Sequence, residues 1–304
     1  MKCRKPYIDN AGRVYGCGQC MPCRINRRRV WAHRIMMETK CHGSSAFVTL
    51  TYDQFHLPAV NANVGRGTGS VRRDHVQLWM KRLRRQLEPL RIRFYCVGEY
   101  GAVTERPHYH VILFGFQACA RGRTKRFDGR VDWMNCCEWC RRIGQSWRMG
   151  DIELGEVNAQ SSNYAAEYCL KKMTAPDDPR LLGRKPEFRS GSIAIGAGAL
   201  GVVAAELIRY RLMATRKDVP NGLNVGKKFM PLGRYLQRRL RELVGRDASC
   251  PQEVLDDIAA EMQAMRSVAW EAEIPFVEYV TQVDDGRYAQ MMAKAEIFKR
   301  KDSL

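Results

Sequence analysis

The stretch "RPHYHVILFGF", Arg106 to Phe116, constrains the fold more than any other part of the chain. Two of only six histidines stand two residues apart where an apolar run begins. Side chains in a strand alternate between faces, so His108 and His110 share one face and Tyr109 takes the other. Tyr109 to Phe116 reads as a strand, apolar because it is central to its sheet. Ile92 to Val97 reads as the strand before it, and Gly98, Gly101 and Pro107 in the connection predict a hairpin. Glu99, in "YCVGEYG", ends the first strand, so the hairpin brings it to the same open end as the histidines. Two imidazoles and a carboxylate can share a divalent metal and leave positions for water or substrate, an arrangement suited to polarising a phosphate oxygen. The plain alternative is three polar residues near a turn.

The flanking segments predict an α+β fold. Phe47 to Tyr52 has the β-branched and aromatic content of a strand. After a loop rich in Gly and Asn, "DHVQLWMKRLRRQLEP" puts Val76, Trp79, Met80, Leu83 and Leu87 on one helical stripe, with Asp74 as N-cap and Pro89 as stop. Ile152 to Val157 is a weaker strand. Ser161 or Ser162 caps a helix, "NYAAEYCLKKM", that stops before Pro176. The order predicts a central antiparallel sheet with helices packed on one side. "TAPDDPRLLGRKPEF" carries three prolines and reads as a linker or domain edge. Beyond it the chain looks mainly helical, with amphipathic helices at Pro231 to Val244 and Gln252 to Ser267. Three regions are expected: a Cys- and Arg-rich element over 1–45, a central domain over 46–175 and a mainly helical region over 176–304.

Charge and cysteines narrow the chemistry. A net charge of +19 over 304 residues points to a polyanion partner, most often nucleic acid. Cys17, Cys20 and Cys23 are tightly spaced, and Cys3 would complete four thiolates for structural zinc. Cys136, Cys137 and Cys140 either complete that set or bind separately; unligated reduced thiols are the bland alternative. Arg24, Arg27, Arg28, Arg29 and Arg34 would then be presented to a DNA backbone, with Arg106 a further candidate beside the first histidine; otherwise they line a solvated basic helix. No apolar run follows the first five residues, so no signal peptide is expected. Ser192 to Ile208 is the most membrane-like stretch, but a span needs about 20 strongly apolar residues. A packed glycine-rich turn and helix is the expectation there.

Tyr164 and Tyr168 lie four apart on one predicted helix face, and Lys172, with Lys171 beside it, extends that face. Taken alone, such a pair is an ordinary aromatic core contact. The ordered set "GEYG…RPHYHVILFG" and then "YAAEYCLKK" closely resembles the HUH endonucleases. Within them it is most similar to the replication initiation proteins of microviruses, especially the gokushovirus-like group. The resemblance extends to "CGQCMPCRINRRRVWAHR", "FVTLTYD" and "LWMKRLRR", covering residues 1–175 well and the rest weakly.

The resemblance implies a ferredoxin-like or RRM-like HUH domain over 46–175. His108 and His110 would bind Mg²⁺ or Mn²⁺, with Glu99 as the acidic third ligand. Tyr164 and Tyr168 would be alternating nucleophiles, with Lys172 or Lys171 at the basic position after them. It also implies nicking and rejoining of viral origin DNA, single-stranded and supercoiled double-stranded, through a 5′-phosphotyrosine intermediate for rolling-circle replication. Host polymerase and helicase would be partners, in the cytoplasm of an infected bacterium. No Walker-type loop is visible, so no intrinsic helicase is expected. Two other readings stay open: a non-catalytic zinc-stapled DNA-binding protein, and an HUH transposase or relaxase. The oligomeric state is left open.

Overall fold

A computed structural model of the chain describes residues 3–10, 13–60, 69–101, 104–157, 178–286 and 288–293. Its elements, in chain order, begin with β1 (Tyr7–Ile8), β2 (Val14–Tyr15), α1 (Met21–Lys40), β3 (Ser45–Thr51), α2 (Arg73–Leu87), β4 (Arg93–Tyr100) and β5 (Pro107–Phe114). They continue with β6 (Arg126–Phe127), β7 (Arg130–Val131), α3 (Glu138–Trp147), β8 (Ile152–Glu156) and β9 (Phe188–Gly191). The remainder are α4 (Leu200–Arg209), β10 (Gly222–Val225), β11 (Lys228–Pro231), α5 (Gly233–Leu243), α6 (Gln252–Glu271) and α7 (Phe276–Val283). The described residues fall into two compact units. One draws on Met1–Val30 and Val202–Leu304, the other on Trp31–Tyr168 and Met173–Gly201.

The second of these units holds a five-stranded antiparallel sheet in the order β8-β3-β5-β4-β9. The expected antiparallel α+β architecture is therefore present, and the histidine strand is its centre. One face buries Val48 and Leu50 of β3, Tyr109, Val111 and Leu113 of β5, and Leu154 of β8. Against it lies the whole predicted stripe of α2, Val76, Trp79, Met80, Leu83 and Leu87. Ile143 and Trp147 of α3 join the same core. Each such side chain contributes ~1.5–3 kcal/mol relative to exposure. Trp79 Nε1–H donates to Ser146 Oγ (2.9 Å), so the one polar atom of this buried indole is satisfied and ties α2 to α3.

Helices do not pack on one side only, as the sequence predicts. The C-terminal half of α1 covers the opposite face: Trp31 meets Tyr95 (ring centroids 5.1 Å apart), and Glu38 accepts from Arg93 Nε at 2.7 Å. Buried Glu38 is further held by His42 and by the Gly196 amide at 2.7 Å. The physical reason lies in β5, where the run from Tyr109 to Phe114 is buried at every residue. A strand apolar on both faces needs cover on both.

Other local expectations shift. Asp74 does not cap α2; Arg72 precedes the helix and holds both Asp74 carboxylate oxygens at 2.9 and 2.6 Å, which leaves none for the helix amides. The glycine-rich stretch after Ser192 forms a turn followed by α4, as expected. There Gly196 (φ +82°) would set a Cβ 2.8 Å from the Arg34 carbonyl, so the turn can press on α1 only without a side chain. The sequence reading did not anticipate α3 or the four-residue edge strand β9.

In the other unit, β10 and β11 form a hairpin that leads into α5, whose Leu236 and Leu240 are buried. Arg241 of α5 pairs with both Asp218 oxygens at 2.8 and 2.6 Å. Among the described residues, no helix is long and apolar enough to cross a membrane.

Candidate metal centre

The register of the central hairpin builds the site. Glu99 stands directly opposite His108 and Val97 opposite His110, so both imidazoles and the carboxylate share one sheet face. His108 Nε2 lies 2.8 Å from Glu99 Oε1, and His110 Nε2 lies 3.2 Å from the same oxygen. The three ligand atoms all fall within 4.8 Å of one another. Ligands about 2.1 Å from an octahedral Mg²⁺ stand ~3 Å apart when adjacent, so the spacing fits such a cation. Glu99 is 3 % exposed and His110 7 %, a depth at which a carboxylate needs cationic company.

The far side of each ring is tied to the scaffold. His108 Nδ1 is 3.1 Å from the Arg106 carbonyl, which can only accept, so Nδ1 carries the proton and Nε2 keeps its lone pair. His110 Nδ1 lies 3.1 Å from Thr49 Oγ1 on β3. Phe47, two residues along β3, stacks on the His110 ring at 5.5 Å. Such outer contacts orient metal-binding imidazoles and set their tautomer.

The opposite face of the same strands makes the platform stiff. Tyr109 and Tyr52 hydroxyls are 2.7 Å apart, Tyr52 reaches His75 Nδ1 at 2.8 Å, and the Arg72 amide donates to Tyr109 at 2.7 Å. Burial pushes both phenols well above the usual tyrosine range and lowers His75, so these groups stay neutral and act as structural links. Gly98, next to Glu99, would place a Cβ 2.7 Å from the Phe188 ring and 3.0 Å from that of Tyr109. Its bare backbone lets those two rings close over the strand.

Tyr164, Tyr168, Lys171 and Lys172 lie outside the described residues. Cys3, Cys17, Cys20 and Cys23 gather as expected, with Cys3 and Cys20 sulfurs 3.7 Å apart and all four within 4.8 Å. At Cys17 burial alone would raise the thiol, but amides of Cys20 and Gln19 outweigh it and draw the pKa down to about 6. Burial pushes Cys23 up to about 12. Cys136, Cys137 and Cys140 do not complete this set; they gather with Cys119. Of the candidate phosphate contacts, Arg27 donates to the Gly18 carbonyl (3.0 Å), Arg29 to that of Phe229 (2.8 Å) and Arg106 to that of Tyr52 (3.0 Å). Arg24 and Arg28 lie on the same helix, half-buried.

Sequence reasoning missed two participants. Thr49 carried a faint signal, as an inward alternate of "FVTLTYD", but its partner is 61 residues away. Cys119 is separated from its cluster by 17 residues and was passed over as a lone cysteine.

Residues 45–173 match a family model for replication-associated proteins of the ORF2 type. The chain is 26 % identical over 238 residues to Replication-associated protein ORF4 of Chlamydia phage 1, covering 76 % of this chain and 55 % of that protein. It is 32 % identical over 178 residues to Replication-associated protein VP4 of Bdellovibrio phage phiMH2K (54 % and 50 % covered). It is 30 % identical over 178 residues to Replication-associated protein ORF2 of Spiroplasma virus 4 (57 % and 52 % covered). The chain thus spans about half the length of the curated relatives it matches. No solved structure matches it.

Proposed function

We propose, on the premise that this chain is related to phage replication-associated proteins, that it starts replication by nicking and rejoining DNA at a viral origin. The observation that carries the reading is the Glu99–His108–His110 donor set on one sheet face, with the His108 tautomer set by a backbone carbonyl. Those three residues would hold Mg²⁺ or Mn²⁺, which supplies Lewis-acid polarisation of the scissile phosphate. The protein's own work is then to hold the DNA, orient the phosphate and deliver a nucleophile.

Tyr164 or Tyr168 is that nucleophile in this reading. Its phenolic oxygen attacks phosphorus, the P–O3′ bond breaks, and the tyrosine keeps the 5′ phosphate while the 3′ hydroxyl is freed as a primer. The bond energy is conserved for rejoining. Four-residue spacing lets the two phenols alternate at one phosphate, and Lys172 or Lys171 balances phosphate charge. The +19 charge supports the polyanion partner. Residues 46–175 would form the endonuclease domain, with origin DNA, host polymerase and host helicase as partners.

The test is a covalent-adduct assay. Labelled origin single strands, with Mn²⁺ or EDTA, should yield an SDS-resistant adduct that needs the metal and disappears in Tyr164→Phe/Tyr168→Phe. Tight DNA binding without an adduct on any genome segment would leave a non-catalytic DNA-binding protein instead.

A further inference from the structure

We propose that Cys119, Cys136, Cys137 and Cys140 form a second four-thiolate zinc site, which staples the segment between β5 and β8 to the edge of the sheet. The four sulfurs lie within 4.8 Å of one another. Cys119 stands 3.6 Å from Cys136 and 3.9 Å from Cys137, and Cys137 stands 3.7 Å from Cys140. Four sulfurs about 2.3 Å from a tetrahedral zinc stand ~3.8 Å apart, whereas a disulfide would bring two of them to ~2.05 Å. The spacing is that of ligands to one ion.

The backbone around the sulfurs is arranged for thiolates. The Lys125 amide donates to Cys136 Sγ at 3.2 Å, and the amides of Ala120 and Cys140 face Cys137. Cys137 is the N-cap of α3 and Cys140 lies in its first turn, so both sulfurs sit at the positive end of a helix.

The same design occurs twice in the chain. Cys3, the β1–β2 hairpin, Cys17, Cys20 and then α1 with Cys23 form one instance. Cys119, the β6–β7 hairpin, Cys136, Cys137 and then α3 with Cys140 form the other. In both, an early cysteine precedes a two-stranded hairpin and a C-x2-C pair straddles the start of a helix. The second instance stands on its own distances and does not depend on the first.

The segment also needs a staple. Between Cys119 and Cys136 it carries Arg121, Arg123, Lys125, Arg126 and Arg130, and Phe127 at the hairpin turn is 72 % exposed. So polar a stretch cannot bury a core of its own, and metal binding supplies folding energy in such cases. Its attachment to the sheet is local: the Thr124 amide donates to the Leu154 carbonyl (3.1 Å), and the Leu154 amide donates to Thr124 Oγ1 (2.7 Å). Thr124 Oγ1 lies 3.4 Å from Cys140 Sγ, linking the cluster to β8. Held there, the segment covers the outer side of an edge strand whose backbone would otherwise be open to pairing.

Zinc content and peptide-mapped alkylation of the full chain test this. In untreated protein Cys119, Cys136, Cys137 and Cys140 should resist iodoacetamide, while exposed Cys41 reacts. A zinc chelator should release the metal and render all four reactive, while Cys96, buried in the core, stays protected. The Cys119→Ser/Cys136→Ser variant should lose about one equivalent of zinc relative to wild type. A Cys3→Ser/Cys17→Ser variant reports separately on the first cluster, so failure at one does not mimic failure at the other. The proposal is overturned if the four thiols alkylate at the rate of Cys41 before chelation. It is overturned equally if chelation leaves them protected, if the variant keeps its full zinc, or if iron with visible absorption occupies the site. The alkylation readout uses wild-type protein and holds even where the variant fails to fold.

Discussion

Replacing Thr49 with valine isolates the outer contact of the metal centre. Valine keeps the shape and β-branching of threonine on β3 and removes only the hydroxyl that lies 3.1 Å from His110 Nδ1. A net hydrogen bond contributes ~0.5–1.5 kcal/mol, and a buried ring nitrogen left unsatisfied costs ~1–3 kcal/mol. The mutant ring recovers part of that cost by rotating or by changing tautomer, and either change spoils the lone pair that Nε2 presents beside Glu99. Loss of an outer-shell partner of this kind lowers metal affinity ~10–100-fold, about 1.4–2.8 kcal/mol. Calorimetric titration of the full chain with Mn²⁺ measures the affinity, and thermal unfolding without metal measures the fold separately. Thr51→Val is the matched control, since its hydroxyl bonds the Asp151 carbonyl at 3.2 Å and serves no ligand. A Thr49→Val protein that unfolds like wild type and binds Mn²⁺ within twofold of it would refute the reasoning.

Gly150→Ala should destabilise the sheet unit by ~2–4 kcal/mol, read by urea unfolding, because its φ of +141° and a Cβ 2.4 Å from the Asp53 amide leave no unstrained position. Tyr52→Phe removes the hydroxyl shared by Tyr109 and His75; a loss of ~1–3 kcal/mol is expected in the same assay, with little change in Mn²⁺ affinity. Asp218→Asn breaks the pair with Arg241 and should cost ~3–5 kcal/mol at neutral pH. Burial opposes ionisation of Asp218, but the Arg241 guanidinium prevails and holds its carboxyl below the usual range. A depressed carboxylate contributes stability that is full above its unfolded pKa and is lost as pH falls through the folded one. Wild type should therefore lose its advantage over Asp218→Asn on acidification below about pH 4, and an advantage that grows there would contradict the assignment.

Much of the candidate site is written locally. The two-residue spacing of His108 and His110 dictates a shared strand face, and a six-residue connection between β4 and β5 dictates that Glu99 meets them. The α2 stripe is equally legible, because helical periodicity depends only on residues within a few turns. What required the folded chain is whatever joins distant segments. Thr49 reaches His110 across 61 residues, and Cys119 joins its cluster across a hairpin of low apolar content. The edge strand β9, four residues of mixed polarity, exists because β4 offers it a partner. Cover on both faces of β5 follows from its unbroken burial, but which helix supplies the second cover does not. The local order of residues sets periodicity, and with it the faces and the metal-ligand set. The folded core sets the neighbours, because contacts between distant segments are chosen by the packing of the whole and leave no local pattern to read.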